Sequence, residues 1–127
     1  MKERISGIVH LVDDDPSFLT SMSRFLRASG YEVKTFTSAA GFLNQLAPDA
    51  TGCVVADLRM PGQSGLDLQD ALAKAGCPMP VVFLTGHGDI PASVRAMRHG
   101  AEDFLTKRAP KDQLLAAVQR ALERGAR

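Results

Sequence analysis

Three kinds of side chain stand at the ends of apolar runs and could, if brought together, move a phosphoryl group: carboxylates at Asp13, Asp14, Asp15 and Asp57, a hydroxyl at Thr85 and an ammonium at Lys107. Carboxylates about 5 Å apart repel by about 3 kcal/mol per pair at an effective dielectric near 20, so such a group must take up protons or a cation. Oxygen ligands with room for water favour magnesium over zinc. A carboxylate nucleophile, a hard divalent cation, a hydroxyl donor and a lysine are what phosphoryl transfer to an aspartate requires. Gly86, directly after Thr85, leaves the backbone accessible where a side chain would crowd an incoming phosphoryl group. Taken singly, each piece has a structural explanation. The Asp13 to Asp15 run could cap a helix, Asp57 could sit in a turn, and Thr85 or Lys107 alone says little. The chemical explanation requires all of them at once, and all fall at strand ends.

The elements that must position them follow from hydrophobic periodicity. Ile8 to Val12 reads as a strand that stops at the acids, and Pro16 opens a helix in which Phe18, Leu19, Met22, Phe25 and Leu26 recur at three- and four-residue spacing until Gly30. Tyr31 to Phe36 is a second strand; Ser38 caps a helix through about Leu46, and Pro48 ends it. Gly52 to Ala56 is a third strand that delivers Asp57 to the turn Met60-Pro61-Gly62. Leu66, Leu68 and Leu72 mark a third helix ending near Gly76. Val81 to Leu84 is a fourth strand, followed at Pro91 by a fourth helix with Val94 and Met97 on one face. Asp103 to Thr106 is a short fifth strand, and a last helix from about Pro110 uses Leu114, Leu115, Val118 and Leu122, its end at Arg124 to Arg127 expected to fray. Five strand-helix units in alternation predict an α/β fold: an open, parallel, five-stranded, flavodoxin-like sheet with helices on both faces and chemistry beyond the carboxyl ends of the strands.

The chain has 127 residues, enough for one domain, and 15 lysines and arginines against 14 acids. That balance excludes a nucleic-acid surface spread over the whole domain. Cys53 and Cys77 lack metal or redox spacing and read as reduced packing residues, while neither a signal peptide nor a membrane-length apolar stretch is visible. A soluble, cytoplasmic protein is expected.

The segments Val12-Asp13-Asp14, Asp57-Leu58-Arg59-Met60-Pro61-Gly62, Thr85-Gly86-His87-Gly88-Asp89 and Lys107 resemble, in order and spacing, the receiver domain of bacterial two-component response regulators, the CheY-like family. The wording around Asp57 and Thr85 is most similar to the FixJ-type branch, whose full-length members carry a helix-turn-helix DNA-binding domain after the receiver. The resemblance covers nearly the whole chain. It implies one receiver domain over residues 1–127, ordered over about 6–124, with no output domain inside it.

By position, the resemblance makes Asp57 the acceptor of a phosphoryl group from a sensor histidine kinase. Asp14 and Asp57 would ligate Mg2+ directly, the Arg59 backbone carbonyl would join them, and Asp13 would act through a metal-bound water. Asp15 falls outside that set. Thr85 and Lys107 would bind phosphoryl oxygens, and Phe104 would turn inward as Thr85 moves. Gly86 and His87 would line the rim, where His87 and Arg59 tune the phosphate lifetime. The chain would then be a phosphoacceptor rather than an enzyme, limited to self-catalysed transfer and autodephosphorylation. Its output would run through the fourth helix, fifth strand and fifth helix, with Arg95, Arg98 and His99 on a homodimer surface, and without direct contact to nucleic acid or membrane. One position departs from the family: Arg108 stands where proline usually follows the lysine. A non-proline cis bond costs about 3 kcal/mol, so a trans bond and a reshaped loop that displaces Lys107 or the output face are expected. Two rivals remain: a Mg2+-dependent aspartyl-phosphate phosphatase, for which Asp13 and Asp15 supply the bare Asp-x-Asp pattern, and a receiver-like binding module that is never phosphorylated.

Overall fold

A computed structural model describes residues 7–86 and 90–125. Along the chain these form β1 (Ile8–Val12), α1 (Pro16–Ala28), β2 (Glu32–Phe36), α2 (Ala39–Asn44), β3 (Cys53–Ala56), α3 (Gly65–Lys74), β4 (Val81–Thr85), α4 (Ile90–Arg98), β5 (Asp103–Thr106) and α5 (Lys111–Gly125). The strands make one parallel sheet in the order β2-β1-β3-β4-β5. This is the predicted flavodoxin-like architecture, and its switch in strand order falls at β1 and β3, whose ends carry Asp13 and Asp57.

Alternation along the strands sends side chains to opposite faces and so builds two cores. Val9, Leu11, Cys53, Val55, Val82 and Leu84 pack with α1 and α5. Val12, Val54, Ala56, Val81 and Phe83 pack with α2, α3 and α4. Near-continuous burial of β3 and β4 is what helices on both faces impose. Asp15 caps α1 by accepting from the Ser17 and Phe18 amides at 3.0 and 3.3 Å, Ser38 caps α2, and Ser64 with Asp67 forms a reciprocal box at the start of α3. The Ser64 hydrogen bonds hold the exposed Asp67 carboxyl below its ordinary range.

Several sequence expectations need correction. Helix α2 stops at Asn44, short of Leu46, although Leu46 still packs on the core. Val94 and Met97, expected on one face of α4, are 44% and 46% exposed, and Ala96 is the residue of α4 that buries. The end of α5 does not fray at Arg124, which pairs with Glu102; residues 126 and 127 lie outside the described residues. His99 turns toward α3, with Nδ1 3.4 Å from Asp70 Oδ1. Both cysteines are free, and burial pushes the Cys53 thiol up to about 12, as expected of an inert packing residue.

Candidate functional site

Register explains why the acids meet. Val12 of β1 pairs with Ala56 of β3, so the next residue on each strand, Asp13 and Asp57, emerges side by side from the same edge. Backbone bonds continue past the strand ends, from Asp13 N to Phe36 O and from Asp57 N to Val12 O, both 3.0 Å, which fixes the two Cα positions. On the other side Thr85 pairs with Thr106, and Lys107 N donates to Thr85 O at 2.8 Å. Four strand ends thus converge.

Oxygens of Asp13, Asp14 and Asp57 lie within 4.8 Å of one another. Asp13 and Asp57 are buried and Asp14 is exposed. The Lys107 ammonium reaches in from the other side, 2.7 Å from Asp13 Oδ2 and 3.2 Å from Asp57 Oδ2. Of these two contacts the one to Asp57 has good hydrogen-bonding geometry; Asp13 Oδ2 is buried, and among the described residues no donor meets it in that geometry. Asp13 Oδ1 accepts the Asp15 amide at 2.9 Å and Asp57 Oδ1 the Arg59 amide at 3.3 Å.

Burial lifts the Asp13 carboxyl above the ordinary aspartate range, opposed by the Lys107 ammonium and the Asp15 amide, while the charge of Asp57 adds to the lift. Burial also works against the charge on Lys107. Attraction from Asp13 and then Asp57 outweighs it and holds the ammonium above the usual lysine value. Among the described residues, three carboxylates face one ammonium, an excess of two negative charges when all are ionised. An all-oxygen donor set, an excess of two charges and a buried oxygen lacking a well-aligned donor together fit a hard divalent cation.

Helix α3 packs closely on this corner. A Cβ on Gly65, the first residue of α3, would lie 2.5 Å from the Asp57 carbonyl oxygen and 2.8 Å from the Phe83 ring, so only glycine lets α3 dock on the segment that presents Asp57. Sequence reasoning missed Gly65; the signal was a glycine directly after a serine cap in the turn following Asp57. At Gly86 a Cβ would meet nothing within 4 Å among the described residues, so packing against them does not require a glycine there.

Residues 9–119 match the model of the response regulator receiver domain. The chain belongs to that family. Nodulation protein W of Bradyrhizobium diazoefficiens is 49% identical over 93% of this chain and 52% of its own length, and the transcriptional regulatory protein FixJ of Azorhizobium caulinodans is 46% identical over 93% and 56%. The crystal structure of FixJ-N superposes with a TM-score of 0.85 at 39% identity, covering 97% of this chain and 96% of that one. These relatives are consistent with the FixJ-type branch. The chain spans about half the length of the curated relatives it matches.

Among the residues expected in the receiver site, Asp13, Asp14, Asp57 and Lys107 gather in one cluster. Thr85 is buried at the end of β4 next to them. Phe104 is half-buried, its ring 5.9 Å from that of Phe83, on the face shared with α4. Arg59 is exposed beside Asp57. His87 lies outside the described residues. Asp15 is committed to its cap and takes no part in the acid cluster, which removes the Asp-x-Asp pair that the phosphatase rival needed; the relatives give that rival no support. The Arg108 expectation divides. The peptide after Lys107 is trans, as expected, yet Lys107 sits against Asp57, so the predicted displacement of the lysine is overturned. The Lys107 backbone bond to Thr85 and the pull of two carboxylates place the side chain without help from proline.

Proposed function

We propose that this receiver is a phosphorylation-dependent switch in which Asp57 accepts a phosphoryl group from a sensor histidine kinase, in the cytoplasm and with Mg2+. The observation that carries this reading is the charge pattern around Asp57: a buried carboxylate at a strand end, flanked by two more acids and held 3.2 Å from a lysine. Asp14, Asp57 and the Arg59 carbonyl would hold the cation directly and Asp13 through water. When bound, Mg2+ supplies charge neutralisation on the transferring oxygens. A carboxylate oxygen of Asp57 bonds to phosphorus as the P–N bond of the donor phosphohistidine breaks, its electron pair leaving on the imidazole nitrogen. Lys107 then exchanges part of its contact with Asp57 for a phosphoryl oxygen, and the Thr85 hydroxyl donates to another. The same groups assist self-catalysed transfer from small phosphodonors and later hydrolysis.

The switch follows from differential contact: a phosphoryl group that draws on Thr85 favours the arrangement in which Phe104 packs inward, shifting an existing equilibrium at α4, β5 and α5. On that face Ile90 is 78% exposed beside Val94, Met97, Arg95 and Arg98, an apolar strip with basic flanks suited to a second copy of the chain. Output through a DNA-binding partner domain fits the similarity to FixJ, a transcriptional regulatory protein.

Mass spectrometry after acetyl phosphate treatment tests the reading. A Mg2+-dependent phosphoryl adduct lost in Asp57→Asn is expected; an adduct that survives in Asp57→Asn and disappears in Asp13→Asn would overturn it, as would no adduct at all. Oligomeric state with and without beryllofluoride tests the output face.

A further inference from the structure

Two lysines flank the loop between β5 and α5, and each lies over an aromatic ring of α1. Lys107 Nζ is 4.2 Å from the centroid of Phe18, and Lys111 Nζ is 4.6 Å from that of Phe25. Seven residues separate the rings, two helical turns, so both stand on one side of α1. Both are partly buried at the edge of the α1-α5 core. Between the lysines the loop is lightly held. Arg108 is exposed and lacks the fixed φ of proline, and the backbone bond formed there runs from Ala109 N to Thr106 O. Asp57 holds the Lys107 ammonium by one hydrogen bond at 3.2 Å, and Asp13 attracts it by charge, which is poorly directional. The Phe18 face supplies a floor on another side of the same ammonium.

We propose that Phe18 is a positioning residue for phosphoryl transfer: its ring face, with Phe25 beneath Lys111 as a second support, holds Lys107 at the height from which it serves Asp57. The inference rests on the proposed role of Asp57 but makes a separate claim about where the lysine is held. Phe18 touches no reacting atom and acts through the ammonium. A ring that served only as core filling would be replaceable by any apolar side chain of similar volume.

The experiment compares Phe18→Leu and Phe18→Tyr with the unaltered chain, with Phe18→Met as a second ring-free variant should the leucine change destabilise the fold. Two readouts are taken. In NMR spectra of the Mg2+-free protein, the Lys107 side-chain protons nearest the ammonium are expected upfield from the ring current, to stay there in Phe18→Tyr and to move to ordinary lysine positions in the ring-free variants. In phosphoramidate labelling at saturating Mg2+, the maximal rate is expected to fall about threefold to tenfold in the ring-free variants and recover in Phe18→Tyr, with the half-saturating donor concentration nearly unchanged. Unshifted Lys107 protons in the parent chain, or ring-free variants labelled at the parental rate, overturn the positioning role while leaving phosphorylation of Asp57 intact. Should the parent chain take no label, the phosphorylation reading fails and the NMR comparison still decides where the lysine is held.

Discussion

His10 and Asp13 are three residues apart, both polar and both buried, at 6% and 1% exposure, yet the protein handles them in opposite ways. His10, in the middle of β1, is enclosed: Nδ1 lies 3.1 Å from the Cys53 carbonyl oxygen, the Phe36 ring stacks against it with centroids 6.4 Å apart, and Phe42 meets it edge-on at 5.5 Å. Burial, with a smaller push from Lys34, lowers its pKa and keeps the ring neutral, while the Cys53 and Ile8 backbone contacts oppose that. Asp13, one residue past the strand, is buried among like charges with one oxygen lacking a well-aligned donor. A neutral polar group can be absorbed by a core once its hydrogen bond is made; a carboxylate needs a countercharge, which Lys107 supplies in part and a cation could complete.

Breaking each half should therefore do different damage. The largest effect is expected from Asp57→Asn, which should remove phosphoryl labelling entirely while the circular dichroism spectrum stays that of the parent chain. Next, Phe42→Ala should cost about 3 to 5 kcal/mol in urea denaturation, because a fully buried ring that also walls in His10 leaves a cavity; labelling of the remaining folded fraction should be little changed. Lys107→Met should cost about 2 kcal/mol in chelator, since Asp13 and Asp57 lose the cation between them. That loss should be smaller when Mg2+ is added, since a divalent cation relieves the same repulsion.

The smallest effects sharpen the contrast by sign. For His10 the folded pKa lies below its ordinary 6.5, so its contribution is complete above about 6.5 and is lost as pH falls toward the folded value. For Asp13 the folded pKa lies above the ordinary 3.8, so its contribution is present below that value and is lost as pH rises through the folded one. In chelator, His10→Gln should flatten the acid-side decline in the urea midpoint, and Asp13→Asn should raise the midpoint near neutrality and remove the opposing trend. Equal pH profiles for the two variants would erase the distinction.

The apolar runs, the proline and glycine punctuation and the acids that follow β1 and β3 were readable directly, because strand and helix periodicities are local and because parallel strands must present their carboxyl ends at one edge. The caps at Asp15 and Ser38 were readable for the same reason. Less could be seen where a residue's environment is supplied by distant segments. Val94 and Met97 have the spacing of a core face, but Ala96 takes that place once α4 settles against β5. His10 looked like one more residue of an apolar strand until Phe36 and Phe42 closed around it. Arg108 suggested a displaced lysine or output face, and Lys107 stands beside Asp57, between two carboxylates that the local sequence around Arg108 does not contain. Local pattern determined which elements form and which side chains end up at the sheet edge; only tertiary packing decided which of those groups are buried, which are paired and which carry an unmet charge, because burial and electrostatic energy depend on neighbours far away in the chain.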